Sequence, residues 1–305
     1  MDTFWRLLKA EREKLRRSSC IRMVWFLPLL FILAEFFVFE YKLFGITNVS
    51  DELLKIVDSA QIKMAGALWG GFFYPVLIAL LPALIFRAEH RNKTWRRLGA
   101  MPVTAAQVFA AKTVWVVVLS LASLITVWFL LWVTRSVLNF AAPRIQLSFH
   151  GWAIGAVLGW LWLGSLPVMA IYLWISNRIN SLAVPVVFGV AGVLLSAALT
   201  SQDAPEPWKR DFIPWVTPNI CVQQALLSTG AVQHTDFAGD LFKEEPDIIR
   251  LPDGRKIPTW QNIPDNVLFP PPPPTPSLAL ASFSVAACLV FLILGALDAD
   301  KCRKS

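Results

Sequence analysis

Six stretches of this chain are too long and too apolar for the interior of a soluble domain. They run roughly over Met23–Phe44, Met64–Phe86, Val108–Val133, Gly151–Ile175, Leu182–Thr200 and Pro276–Leu297. A helix needs about 20 mostly apolar residues to cross the hydrocarbon layer of a bilayer. Inside lipid no water bonds the backbone, so a lone apolar segment must close its own N–H and C=O groups, and the helix does this. Composition agrees, with 56% hydrophobic and 16% charged residues, against about a quarter charged in soluble domains. The 14 Trp fit as well, because indole rings favour the membrane–water boundary. The predicted fold class is all-α: a polytopic membrane protein with six transmembrane helices.

Basic residues set the expected orientation, since Lys and Arg in short loops mark the cytoplasmic side. Seven precede the first span (Arg6, Lys9, Arg12, Lys14, Arg16, Arg17, Arg22). Arg87, Arg91, Lys93, Arg96 and Arg97 follow the second, with Lys112 just inside the third, where it is expected to snorkel toward the inner interface. Arg178 follows span four, and Lys301, Arg303 and Lys304 close the chain. Six spans with both termini in the cytoplasm satisfy this bias. The +7 net charge is therefore read as positive-inside asymmetry and not as a nucleic-acid surface. No small-residue cleavage site follows a short apolar region, so no cleaved signal peptide is expected.

The organisation that follows is an amphipathic helix over 1–22, spans one to five over 23–200 with a cytoplasmic loop at 87–107, an outer segment 201–275, span six over 276–297 and a tail at 298–305. The outer segment holds ten acidic and six basic residues and 13 of the 21 prolines. Thr217-Pro218 followed by Ile220, Val222, Ala225, Leu226 and Leu227 reads as a short helix with Pro at its first position. Ile248–Arg250 and Arg255–Ile257 around Pro252-Asp253-Gly254 read as a hairpin. Pro270–Pro274 reads as a polyproline II strut. A structured outer lid is expected.

Chemistry of its own is scarce. The chain has no G-x-x-x-x-G-K-[ST] phosphate loop, and no H-E-x-x-H or G-x-S-x-G. His90, His150 and His234 stand apart, and Cys20, Cys221, Cys288 and Cys302 have no zinc or disulfide spacing. No catalytic, cofactor-binding or metal-ligating residue is assigned. Glu35 is the one ionisable group deep within a span; it either lines a substrate path or orients helices. Gly66 and Gly70, and the tandem Gly151, Gly155 and Gly159, give G-x-x-x-G faces for close helix approach, within the chain or across a dimer.

Two polar segments stand out. In the first, Phe4, Leu7, Leu8 and Leu15 share a helical face opposite Arg6, Lys9, Glu13, Arg16 and Arg17, which describes an interfacial helix on membrane lipid. Glu11 falls inside the apolar stripe. It needs a partner, an Arg of the next loop being one candidate, or else a slightly rotated helix that leaves it in water. In the second, Thr94, Trp95 and Leu98 give Arg87–Gln107 a short amphipathic helix suited to a partner's groove. Thr104 and Gln107 then form a capping box.

Taken together, the Glu11-Arg12-Glu13-Lys14 elbow, the span after it and the loop pattern E-x-R-N-x-T-W-x-x-L…P-V…K resemble the permease subunits of ABC-2 type transporters. That loop pattern runs from Glu89 through Arg91, Thr94, Trp95 and Leu98 to Lys112. The chain is most similar to the permeases of lantibiotic and antimicrobial-peptide immunity and export. The resemblance implies a coupling segment of Glu89, Arg91, Thr94, Trp95, Arg96, Arg97 and Leu98 that receives a separate ATPase. It also implies a bacterial cytoplasmic (inner) membrane, two permease subunits (homo- or heterodimer) and two ATPase subunits, with ATP and Mg on the ATPase and no cofactor in this chain. The expected function is export of a hydrophobic or amphipathic substrate, an antimicrobial peptide. The alternative is a non-transporting scaffold or sensor whose outer loop binds a ligand; a gradient-driven carrier is a weaker third reading, since such carriers use several buried ionisable groups.

Overall fold

A computed structural model of the chain describes residues 2–16, 18–37, 61–92, 103–141, 147–179, 181–199, 213–228, 248–250, 256–258 and 277–304. These residues are helical except for short turns and one antiparallel ribbon. The helices are α1 (Asp2–Arg16), α2 (Ser19–Glu35), α3 (Tyr74–Asn92), α4 (Ala105–Ala141), α5 (Gly151–Arg178), α6 (Ala183–Leu199), α7 (Thr217–Ser228) and α8 (Ser277–Lys304). Among the described residues four helical runs are long and apolar enough to cross a bilayer: Gln61–Arg87, Ala105–Ala141, Gly151–Arg178 and Ala279–Ala299. The bent pair Phe4–Arg16 and Ser19–Glu35 makes a fifth if counted as one span, and α6 is apolar but only 17 residues long. The first apolar segment is followed as far as residue 37; 38–44 lie outside the described residues, as does the strut at 270–274.

Local chemistry explains where these helices start and turn. Ser18 caps α2, its hydroxyl accepting from the Cys20 N–H (3.2 Å) while donating to the Leu15 carbonyl (2.8 Å). This knot sits at a 62° bend between α1 and α2. Before α4, the Thr104 N–H donates to Gln107 Oε1 (3.1 Å) and the Gln107 N–H donates to Thr104 Oγ1 (3.2 Å), the reciprocal box read from the sequence. Asn139 ties the end of α4 to the lead into α5, donating to the Leu147 carbonyl and accepting from its N–H, both at 2.9 Å. At 37 residues α4 is about 55 Å long, well beyond a bilayer's ~30 Å hydrocarbon layer.

The run leading into α3 is π-helical over Ala65–Phe73, a wider winding that often marks functional segments. It carries Trp69, fully buried beside Phe31 of α2, with ring centroids 5.5 Å apart. Of the two glycine faces, the first packs within the chain. A Cβ on Gly66 would meet Val222 of α7 at 2.7 Å, and one on Gly70 would meet Leu161 of α5 at 3.3 Å. On α5, Gly159 has nothing within 4 Å and Gly155 only the Trp128 indole, at 3.9 Å.

Helix α7 is the least expected element. It forms where the Thr-Pro signal placed it, yet it lies against the helices instead of above them. A Cβ on Gly164, half-way along the 28-residue α5, would touch Pro218 Cα at 2.9 Å and the Thr217 carbonyl at 3.1 Å. Val222, Ala225 and Leu226 join the main core. Apolar contact with the middle of α5 explains the position, because the inward residues of α7 are as apolar as the helices they face. The ribbon pairs β1 (Ile248–Arg250) with β2 (Lys256–Pro258), Ile249 opposite Ile257, one residue later on the second strand than the sequence reading.

Candidate functional site

The polar stretch of α1 does not lie free of the protein. Leu15 is buried, the Leu8 carbonyl accepts from Trp115 Nε1 of α4 at 3.2 Å, and Glu11 is 2% exposed. Its carboxylate takes one cation on each oxygen: Lys14 Nζ on Oε1 at 2.5 Å and Lys112 Nζ on Oε2 at 3.2 Å. Burial by itself pushes the Glu11 carboxyl up; the adjacent Lys112 and Lys14 ammonium groups outweigh it and hold the group below the ordinary carboxylate value. The acid inside the apolar stripe thus has a partner across the fold, Lys112 of α4, while the side chains of Arg91, Arg96 and Arg97 lie outside the described residues. Lys112 turns into the protein instead of snorkelling: it is 1% exposed, with its ammonium 5.3 Å from the Phe86 ring centroid of α3.

This cluster stands where several helix ends converge. Phe86 packs on Phe109 of α4 with centroids 6.1 Å apart. The Phe109 ring lies so close to Gly295 of α8 that a Cβ there would overlap it. A turn further along α8, Asp298 receives Arg178 of α5 in two contacts, Nε to Oδ2 at 2.6 Å and Nη2 to Oδ1 at 3.1 Å. Asp298 Oδ2 also accepts from Trp174 Nε1 at 2.9 Å. One end of the helix assembly is therefore cross-braced from α1 through α3, α4 and α8 to α5. Asn92 at the end of α3 and Thr104 at the start of α4 frame the loop between them.

The residues read from the sequence as a coupling segment divide accordingly. Glu89 and Arg91 fall on the last turns of α3, whose side chains there are not described. Thr94, Trp95, Arg96, Arg97 and Leu98 lie outside the described residues. Glu11 and Lys14 are brought together, and Lys112, read from the sequence only as a snorkelling cation closing the loop pattern, joins them as the partner of Glu11. The signal for Lys112 was a cation in the first half of an apolar helix, two turns from the capping box; Arg135, the other cation of α4, lies toward the far end. Glu35 sits elsewhere, buried on α2 one turn beyond Phe31.

A second polar set joins α7 to the helices. Trp215 Nε1 donates to Tyr172 Oη (3.1 Å), and Asn219 Nδ2 donates to Ser196 Oγ (2.7 Å). Ser165 Oγ stands 3.4 Å from Tyr74 Oη. The cavity among these groups measures about 20 Å³. That admits one water and falls far below the several hundred Å³ of a small-molecule site. Among the described residues no group of His, Cys, Asp and Glu could hold a metal ion.

The family model described as ABC-2 family transporter protein matches residues 7–192. The chain belongs to this family. The match runs from α1 to α6 and takes in both Glu11 and Lys112. The search of curated proteins finds no match. An ABC-2 permease is the membrane subunit of its transporter and not an ATPase itself; it works with an ABC ATPase. For this ABC-2 permease the braced end around Glu11 and Lys112, which frames the 93–102 segment, is the candidate site for that partnership.

Proposed function

We propose that the chain is the permease subunit of an ATP-driven exporter, with the loop between α3 and α4 receiving the ATPase stroke. In this reading six spans cross a bacterial cytoplasmic membrane with both termini inside, and the first is preceded by α1 as an elbow helix. Glu89, Arg91 and Thr94–Leu98 make the coupling contact. Two permease subunits stand over two ATPase subunits, which carry the ATP and Mg. The buried Glu11–Lys112 pair supports this most. It fastens α1 to the root of α4, so a push on the loop moves α1, α4 and, through Phe109, α8 as one block. Ion pairs buried in low dielectric hold geometry well, because separating them exposes uncompensated charge.

The cargo is a hydrophobic or amphipathic molecule, with an antimicrobial peptide the preferred class by resemblance. It leaves past the 201–275 segment, and Glu35 lies on its path. One turn before Glu35 on α2, Phe31 packs on Trp69 and Phe73, and an aromatic cluster on that stretch of the helix supports an amphipathic cargo, since such rings accept apolar and cationic groups alike.

Charge reversal of Glu89 or of Arg96 and Arg97, in the complex reconstituted with its ATPase, tests the reading. Substrate-stimulated ATP hydrolysis should fall while the permease still inserts. Undiminished stimulation in both variants overturns the coupling role.

A further inference from the structure

Docking on α4 occupies the apolar stripe of α1, and what remains outward is basic on balance, with Glu13 exposed among Arg6, Lys9, Arg12, Lys14 and Arg16. Trp5, Lys9, Arg12 and Arg16 recur at i, i+4, i+7 and i+11, a single helical stripe, and all four are exposed, as is Arg6. No ion pair engages Arg6, Lys9, Arg12 or Arg16 among the described residues. Beyond the bend, Trp25 and Phe26 of α2 are 61% and 57% exposed, and large apolar rings on the outside of a candidate span face lipid. With α2 crossing the bilayer, the 62° bend lays α1 well over toward the membrane plane, beside the level these rings mark.

We propose that this face is a binding surface for anionic phospholipid headgroups of the adjoining leaflet. An amphipathic helix ordinarily holds a membrane by burying its apolar stripe in the acyl boundary. Here Leu8, Glu11 and Leu15 are turned to the protein, so attraction between cations and phosphates, with Trp5 at the interface, supplies the selectivity. The occupant is a lipid rather than an acidic protein face because the exposed rings continue from α1 onto the flank of α2. The proposal rests on the membrane placement and not on the exporter reading.

The test uses the full chain alone in phosphatidylcholine vesicles, with spin-labelled phosphatidylglycerol or phosphatidylcholine as probe. Phosphatidylglycerol should associate about fivefold more strongly or better, the effect of at least one basic side chain at a charged surface. The preference should shrink as salt rises. It should vanish when Arg6→Gln, Lys9→Gln, Arg12→Gln and Arg16→Gln are combined, and survive when the three arginines become lysine. Because these side chains point away from Glu11 and Lys112, the neutralised helix keeps its dock, which amide exchange of α1 verifies. Equal association of both probes with the native chain overturns the proposal, as does a preference unchanged by neutralisation. So does loss of ATPase binding in the neutralised variant with lipid preference intact, which assigns the face to the ATPase.

Discussion

Glu11 and Lys112 are 101 residues apart in the chain and 3.2 Å apart in the structure, both almost wholly buried. Their neighbours make the pair asymmetric: Glu11 also holds Lys14, whereas Lys112 has the Phe86 ring beside it. Glu11→Ala strips the buried ammonium of its carboxylate and should destabilise α1 docking by about 3–5 kcal/mol. Lys112→Met leaves Lys14 on the carboxylate and should cost less. Lys14, half exposed, contributes at most about 1 kcal/mol. Amide exchange of α1 in the three variants and in the Glu11→Ala/Lys112→Met double variant checks the order; equal losses for Glu11→Ala and Lys14→Ala contradict it.

Acid should loosen the same junction. The docked Glu11 carboxyl ionises below its ordinary value of 4.5, so the undocked state takes up its proton first as pH falls. The stabilisation is complete above about 4.5 and is lost as pH drops through the lower docked value. Protease cleavage of α1 followed from pH 7 to pH 3 should show no change until below that point. Glu11→Gln should remove the step, and a midpoint near neutral pH would speak against the assignment.

How much of this the sequence displayed depends on the range of the interaction. The Thr104–Gln107 box, the start of α7 and the inward face of Glu11 follow from spacings of three or four residues, which helical geometry makes readable. The partner of Glu11 does not, because periodicity reports which face is inward and not what waits there. The same holds for α7. Its Thr-Pro start was visible, but contact with Gly164 depends on how α5 and the π-helical run before α3 leave a gap. That π winding has no sequence signal distinct from an apolar, glycine-rich helix.

The wedge that α7 forms should be sensitive at one glycine and indifferent at another. A Cβ on Gly192 overlaps the Trp215 indole, while Gly71 has nothing within 4 Å. Gly192→Ala should displace Trp215 from Tyr172 and cost about 1–3 kcal/mol, as overpacking does. Gly71→Ala should be silent by comparison. Thermal unfolding in detergent with tryptophan emission as readout separates the two; similar behaviour refutes the wedge.

At the α5–α8 brace, Arg178 is about half exposed and Asp298 largely covered. Solvent screening limits the pair to about 1 kcal/mol, so Arg178→Ala should have a small effect. Asp298→Ala should have a larger one, because it also frees the Trp174 N–H. A double-mutant cycle of Asp298→Ala with Trp174→Phe should give a favourable coupling energy; strict additivity contradicts the shared acceptor.

The most direct trial of the central claim is co-purification of a tagged permease with the untagged ABC ATPase produced alongside it. The native chain should retain the ATPase, and the combined variant Glu89→Arg/Arg96→Glu/Arg97→Glu should insert in the membrane at native levels yet release it. Full retention of the ATPase by that variant would contradict docking at the loop between α3 and α4.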